Sequence, residues 1–243
     1  DFYNIWVENF SDGLTDEYID FALNSLLKPE FSYVGIYDGE IACIGMAIPC
    51  GIGKSNFLYL YSLATKENFR RKGLMTFFLK EMQSLSVKCG FDGTVLVPET
   101  ADLRRYYADR GFENFTFLKK ARLSDLSGKS IKLNEISSAE YARLRDEFGD
   151  NILGFFGEYR LLAAREAELS GCRFVSGENG AAAFSCEYDE IKVIELLCEK
   201  KDFNAFSAGI ASFCGKNKIE ATVPQSLDID GEILPFLMLN KNF

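Results

Sequence analysis

The chain has 243 residues, 47% of them apolar, with 22 Phe, 11 Tyr, no histidine and a formal net charge of −9. Such a composition supports a packed core, and the missing histidine excludes Ser-His and Cys-His nucleophilic triads and leaves any metal only carboxylate or thiolate ligands. No run approaches about 18 consecutive apolar residues and no basic segment leads into an apolar one at the start, so neither a membrane span nor a secretory leader is read.

In chain order, Thr15 is placed to cap a helix over 16–27, with Ile19, Ala22, Leu23, Leu26 and Leu27 as its buried stripe. Asp38-Gly39, between FSYVGIY and EIACIGMAIP, is a hairpin signal, because a type I′ turn needs positive φ at both central residues. A strand over 57–65 follows, with Leu58, Leu60, Ser62 and Ala64 on one face and Tyr59, Tyr61, Leu63 and Thr65 on the other. After the basic turn Arg70-Arg71-Lys72-Gly73 comes a helix over 74–89, closed by Gly90. Its apolar stripe is Leu74, Phe77, Phe78, Met82 and Leu85, and Lys80, Glu81 and Ser84 face water. A strand at 93–97, a helix at 101–110 closed by Gly111, and a strand near 114–122 complete the series.

A similar order resumes near residue 130. It comprises strand IKLNEI, a helix with the capping-box pair Ser137 and Glu140, a helix at 158–169 and strand CRFVS. The turn at Glu178-Asn179-Gly180 leads to AAAFSCEY, IKVIELLC, a helix near 202–214, strand IEATVP and a terminal PFLMLN. This repetition sets a boundary between domains 1–125 and 126–243. The seven cysteines form no C-x-x-C pair and mostly sit among apolar residues, which points to reduced core thiols in a cytoplasmic protein.

The basic turn carries the chemistry. The first amides of a helix lack intrahelical partners and sit at the positive end of its dipole, and glycine lets a phosphate approach the backbone. Residues 51–122 hold thirteen Lys and Arg against seven acids, while residues 1–50 hold one Lys against nine acids. The overall acidity argues against nucleic acid and suits a cationic substrate.

Arg70-x-x-Gly73-x-Met75, after a strand and opening a helix, resembles the R/Q-x-x-G-x-G/A acyl-CoA pyrophosphate loop of the GNAT acetyltransferase superfamily. Residues 95–115 look like a second family segment, in which a tyrosine, here Tyr107, precedes Gly111-Phe112 by four residues. Met75 departs from the usual Gly or Ala and is expected to crowd the loop slightly. The resemblance implies an α/β (α+β) fold, a mixed and mostly antiparallel twisted sheet flanked by helices, in two tandem units. The second unit is degenerate, because its junction Cys198-Glu199-Lys200-Lys201-Asp202-Phe203 has two acids and no glycine.

What the resemblance implies for function is an N-acetyltransferase that takes acetyl-CoA and needs no metal. A primary amine of a small molecule or peptide attacks the thioester directly in a ternary complex. Leu63, Ala64 and Thr65 pair with the pantetheine arm where their strand splays from its neighbour. The amides of Arg71, Lys72, Gly73, Leu74 and Met75, beside the motif Arg70, hold the pyrophosphate. Tyr107 protonates the leaving thiolate, with Tyr106 as the neighbouring alternative. For the base, the family's strand glutamate falls at Phe57, leaving Glu99, Glu40, a water chain or the C-terminal carboxylate of Phe243. A monomer or homodimer without nucleic-acid or membrane partners is expected; the other reading is a noncatalytic acyl-CoA-binding or regulatory module.

Overall fold

A computed structural model describes the chain except residues 13, 124–125, 127–129, 149–151, 226, 228 and 243. In order, its elements are α1 (Phe2–Phe10), α2 (Asp16–Phe21, continued by a π turn over Ala22–Leu26), β1 (Ser32–Tyr37), β2 (Glu40–Ile52), β3 (Ser55–Thr65), α3 (Leu74–Lys88), β4 (Gly93–Leu96), α4 (Ala101–Ala108), β5 (Glu113–Asn114) and β6 (Phe117–Leu123). They continue with β7 (Asn134–Ile136), α5 (Ser138–Phe148), β8 (Gly154–Phe155), α6 (Leu162–Leu169), β9 (Arg173–Gly177), β10 (Gly180–Glu187), β11 (Glu190–Cys198), α7 (Phe203–Cys214), β12 (Lys218–Pro224), β13 (Glu232–Pro235) and β14 (Met238–Lys241).

These elements form two sheets, ordered β1-β2-β3-β4-β14-β5 and β13-β6-β12-β11-β10-β9-β7, with β8 beside β2. Along these two strand orders the pairs are antiparallel except for β3/β4 in the first and β11/β12 in the second. A parallel pair needs a crossover, and α3 and α7 supply the two. Mixed, mostly antiparallel sheets flanked by helices are the architecture expected from the sequence, and β9-β10-β11-α7-β12 follows the order of β1-β2-β3-α3-β4.

The chain divides differently from a cut at residue 125. Residues 1–115, 155–159 and 237–243 form one compact unit, and 116–154 with 160–236 form the other. What reads as one strand over 114–122 is two, β5 in the first sheet and β6 in the second. The terminal PFLMLN, expected in the second unit, supplies β14 to the first sheet, where it pairs with β4 and β5. Pairing over so long a sequence separation leaves no local signal.

Local chemistry explains most of the elements. Thr15 caps α2 by accepting from the Tyr18 amide at 3.2 Å, although regular α-helix stops at Phe21. Asp38 and Gly39 have φ of 51° and 78°, as the type I′ reading requires. In α3 the buried stripe is Phe78, Leu79 and Met82, whereas Phe77, expected in it, is 64% exposed. Helix α1 was not read from the sequence; it buries Ile5 and Trp6. All seven cysteines are free thiols, but only Cys43 and Cys50 are buried, so most are not core residues.

In the second unit the Glu195 carboxylate is held by Arg145 Nε at 2.5 Å and Nη2 at 2.8 Å and by the Tyr141 hydroxyl at 2.6 Å. Burial would raise its pKa, and the guanidinium with these hydrogen bonds more than offsets that, so it titrates below the usual carboxylate range.

Candidate active site

The site is built on β3. A β-bulge interrupts its pairing with β2 between Ile44 and Met46, and Ser62 there has φ of 52°. The extra residue shifts the alternation, so Leu63 packs with Leu58 and Leu60 against the core instead of lying on the opposite face. Gly45 makes room for this: a Cβ there would lie 2.6 Å from Leu63 Cδ2 and 2.9 Å from Phe78. Trp6 Nε1 donates to the Ser62 hydroxyl at 3.1 Å and ties α1 to the bulge.

Before it reaches the bulge, β3 leaves its parallel neighbour. The β3/β4 ladder runs only from Phe57–Gly93 to Tyr59–Val95, while β3 continues to Thr65. Leu63, Ala64 and Thr65 therefore lie past the last paired rung, on the diverging arm. Arg70 is anchored to that arm, its Nε donating to the Thr65 carbonyl at 3.1 Å and its Nη2 to Asn9 Oδ1 at 3.0 Å.

The turn into α3 has left-handed backbone at Arg71, φ 61°, and at Gly73, φ 79°. Arg70, Arg71, Lys72 and Gly73 are all exposed, and a Cβ on Gly73 would meet nothing within 4 Å. An exposed turn at the start of a 15-residue helix, among three cationic side chains, is chemically suited to an anion. Lys72 Nζ lies 5.3 Å above the Tyr37 ring and 5.0 Å above Phe69. Leu74 and Met75 are half-buried against the core, so the Met75 side chain points away from the loop it was expected to crowd.

Between the arms of β3 and β4 opens a cavity of about 350 Å³. Its walls are β3 from Tyr59 to Leu63, the Leu96–Glu99 segment, Leu103 and Tyr107 of α4, and Trp6, Phe10, Leu14 and Tyr18 from the N-terminal segment. Tyr107 and Glu99 thus meet at one cavity. Tyr106 is not among its lining residues; the Arg110 guanidinium covers its ring at 3.4 Å and donates to its carbonyl at 2.6 Å.

Tyr107 is buried, and that burial, with Tyr106 adding and Arg110 opposing, pushes its phenol up to about 12. Glu99 is exposed at the cavity rim. Glu40 lies at the β1–β2 turn, opposite Tyr37 and off the cavity wall. Phe57, at the position of the family's glutamate, is a core residue stacked edge-on to Phe115 at 5.7 Å. Phe243 lies outside the described residues.

Sequence reasoning missed the aromatic wall from α1 and α2. The signal available was the density of Trp6, Phe10 and Tyr18 in so short a stretch. Among the described residues no group of three or more Cys, Asp or Glu could hold a metal, and no helix is long and apolar enough to cross a membrane.

Parallel strands that part, an exposed basic turn at the end of one, and a tyrosine in the gap are the arrangement that the resemblance to the acetyltransferases implies. Residues 1–112 match the acetyltransferase (GNAT) family. No curated protein matches the sequence. Eis1 from Mycobacterium abscessus superposes with a TM-score of 0.78 at 12% identity, over 98% of this chain and 70% of its own. A GCN5-related N-acetyltransferase from Anabaena variabilis gives 0.75 at 13%, over 98% and 69%. A tandem GNAT protein from the clavulanic acid biosynthesis pathway gives 0.52 at 10%, over 98% and 93%. At these identities the likeness concerns the fold. Residues 1–112 thus carry the signature of the GNAT family, whose reaction class is acyl transfer, and along the rest of the chain the likeness is of fold.

Proposed function

We propose that this protein transfers the acetyl group of acetyl-CoA to a primary amine of a small molecule or peptide, by direct attack in a ternary complex. The observation that carries the proposal is the end of the β3/β4 ladder at Tyr59–Val95, which leaves one arm of β3 leading from a cavity containing Tyr107 to the turn at Arg71–Gly73.

In this reading the β3 edge from Leu63 to Thr65 pairs with the pantetheine amides, and the backbone from Arg71 to Met75 receives the pyrophosphate beside Arg70. The amine lone pair attacks the thioester carbonyl, and collapse of the tetrahedral intermediate breaks the C–S bond. Tyr107 faces the departing sulfur. With its pKa near 12, complete proton transfer to a free thiolate near 8.5 would be uphill by about 5 kcal/mol. Its role is then a hydrogen bond that strengthens as charge gathers on sulfur, the proton being made good by the ammonium formed on attack.

An amine that arrives as an ammonium must first lose one proton, which falls to Glu99, directly or through water; an amine that arrives neutral needs no base. The buried Phe57 leaves β3 without the strand glutamate that the family resemblance implies at that position. Tyr107 in the cavity favours catalysis over passive acyl-CoA binding, because a binder has no use for a donor there. The acidic chain fits a cytoplasmic enzyme acting without nucleic acid or membrane, as a monomer or homodimer. The test is release of free thiol from acetyl-CoA on addition of an amine panel; no amine-dependent release with any member would refute acetyl transfer.

A further inference from the structure

The cavity wall is unusually one-sided in its chemistry. Trp6, Phe10, Tyr18, Tyr59, Tyr61 and Tyr107 supply aromatic surface, and Glu99 is the one charged group among the described lining residues. Several of the polar atoms are already engaged. The Trp6 indole N–H is committed to Ser62, and the Tyr18 and Tyr61 hydroxyls share a hydrogen bond at 3.3 Å. The rings are held in place by one another, with Tyr59 at 5.8 Å from Tyr61 and 5.5 Å from Phe155. The nearby cations are turned elsewhere, Arg70 to Thr65 and Asn9, and Arg110 to Thr76 and the Tyr106 ring.

From this wall, and resting on the acetyl-transfer reading above, we infer that the acceptor is a small monoamine with an apolar, preferably aromatic, body and no carboxylate. An ammonium group approaching the site finds Glu99 and aromatic faces, both of which attract a cation. An aromatic body finds edge-to-face partners. A carboxylate on the acceptor would be desolvated with no cation in the wall to receive it, and a second or third ammonium would have no second carboxylate. Polyamines, aminoglycosides and free amino acids are disfavoured on these grounds. Size points the same way, since about 350 Å³ is at the small end of ligand cavities and the thioester end must share it.

The test compares 2-phenylethylamine with phenylalanine, which adds only the carboxylate, and with spermidine and kanamycin, by thiol release at saturating acetyl-CoA. The expected result is a kcat/KM for 2-phenylethylamine at least about tenfold above each of the others, the discrimination typical of one unpaired group. If phenylalanine, spermidine or kanamycin is the better acceptor, the inference is overturned while acetyl transfer stands. If no amine is acetylated, acetyl transfer fails, and calorimetric titration of the acetyl-CoA-loaded protein decides: tighter binding of 2-phenylethylamine than of phenylalanine supports the inference, and equal or absent binding overturns it. Leu103→Arg, at a partly exposed wall position where the fold tolerates a long polar side chain, adds the missing cation. It should narrow the preference over phenylalanine by about tenfold, and an unchanged ratio would overturn assignment of the acceptor to this cavity.

Discussion

The two units meet the same problem, a strand that must turn into a crossover helix, with opposite chemistry. In the first, β3 hands over to α3 through Arg70–Gly73, exposed throughout, with left-handed backbone at Arg71 and Gly73. In the second, β11 hands over to α7 through Glu199–Asp202, whose described residues include no positive φ. There Glu199 pairs with Lys201 at 2.7 Å, Asn179 donates to Asp202 at 3.3 Å, and Phe203 and Phe206 are buried at the helix start. A junction that spends its charges on itself and fills its mouth with phenylalanine has nothing left for a phosphate. Fold repetition and site repetition are therefore separate matters, and of the two junctions the first has the exposed, left-handed turn suited to an anion.

The largest effect should come from placing an acid in the open junction. Gly73→Asp puts a negative charge at the proposed pyrophosphate contact, and calorimetry should show coenzyme A affinity reduced by at least about 100-fold. Asp tolerates left-handed backbone better than most residues, at roughly 1 kcal/mol, so the fold should survive. Gly73→Asn, with the same shape and no charge, should lose less. In contrast, Glu199→Ala and Lys201→Ala should leave coenzyme A affinity unchanged, and a stoichiometry of two coenzyme A per chain would abolish the distinction between the junctions.

Tyr107→Phe should reduce kcat by about 10² to 10³ with little change in coenzyme A affinity, because it deletes the donor and keeps the ring. Tyr106→Phe should be nearly silent. The pH–rate profile sharpens the assignment: a phenol raised to about 12 stays protonated well above the ordinary value near 10, so kcat should show no Tyr107-dependent fall until pH approaches 12. A fall centred near 10 that disappears in Tyr107→Phe would contradict the buried environment.

Glu195→Gln probes the second unit alone. Breaking the pair with Arg145 should cost about 2 to 4 kcal/mol in chemical denaturation at pH 7, below the full buried-pair penalty because the Glu195 side chain keeps 24% of its exposure. The wild-type carboxylate has a lowered folded pKa. Its stabilisation is present above the unfolded value near 4.3 and is lost as pH falls through the folded value, so the wild-type advantage over Glu195→Gln should shrink in acid. A smaller loss, about 1 kcal/mol, is expected for Trp6→Phe, which removes the hydrogen bond to the bulged Ser62 and should also raise the KM for acetyl-CoA.

How much of this was legible in the sequence follows from the range of the interactions involved. The Asp38-Gly39 turn, the Thr15 cap and the Gly73 helix start are each decided within four residues by backbone sterics or a local hydrogen bond. The bulge at Ser62 is decided by Gly45 on another strand and Trp6 on another helix, so an unbroken alternation over 57–65 was the natural expectation and put Leu63 on the wrong face. Phe77 shows the complementary failure: helical spacing places it near the apolar stripe, yet packing stops one residue short of it. Tyr107 and Glu99 were reachable by motif and by loop position. The aromatic wall from Trp6 to Tyr18 was not, because no local rule states that a short N-terminal helix will be laid against β3.

The return of β14 to the first sheet makes the second unit, in connectivity, an insert inside the first. β4 is flanked by β3 and β14, and β5 reaches the sheet only through β14. The same late segment completes buried polar groups made far earlier, since Asn242 Nδ2 donates to the Ser86 hydroxyl at 2.9 Å and Gln83 links Thr94 to the Asn240 carbonyl. During synthesis the ribosome must therefore release the segment from Thr116 to Phe236 before the first unit can close its sheet. The nascent first half waits with an unfilled slot between β4 and β5, a period of exposure to chaperones and to strand exchange that a simple head-to-tail duplication would not impose.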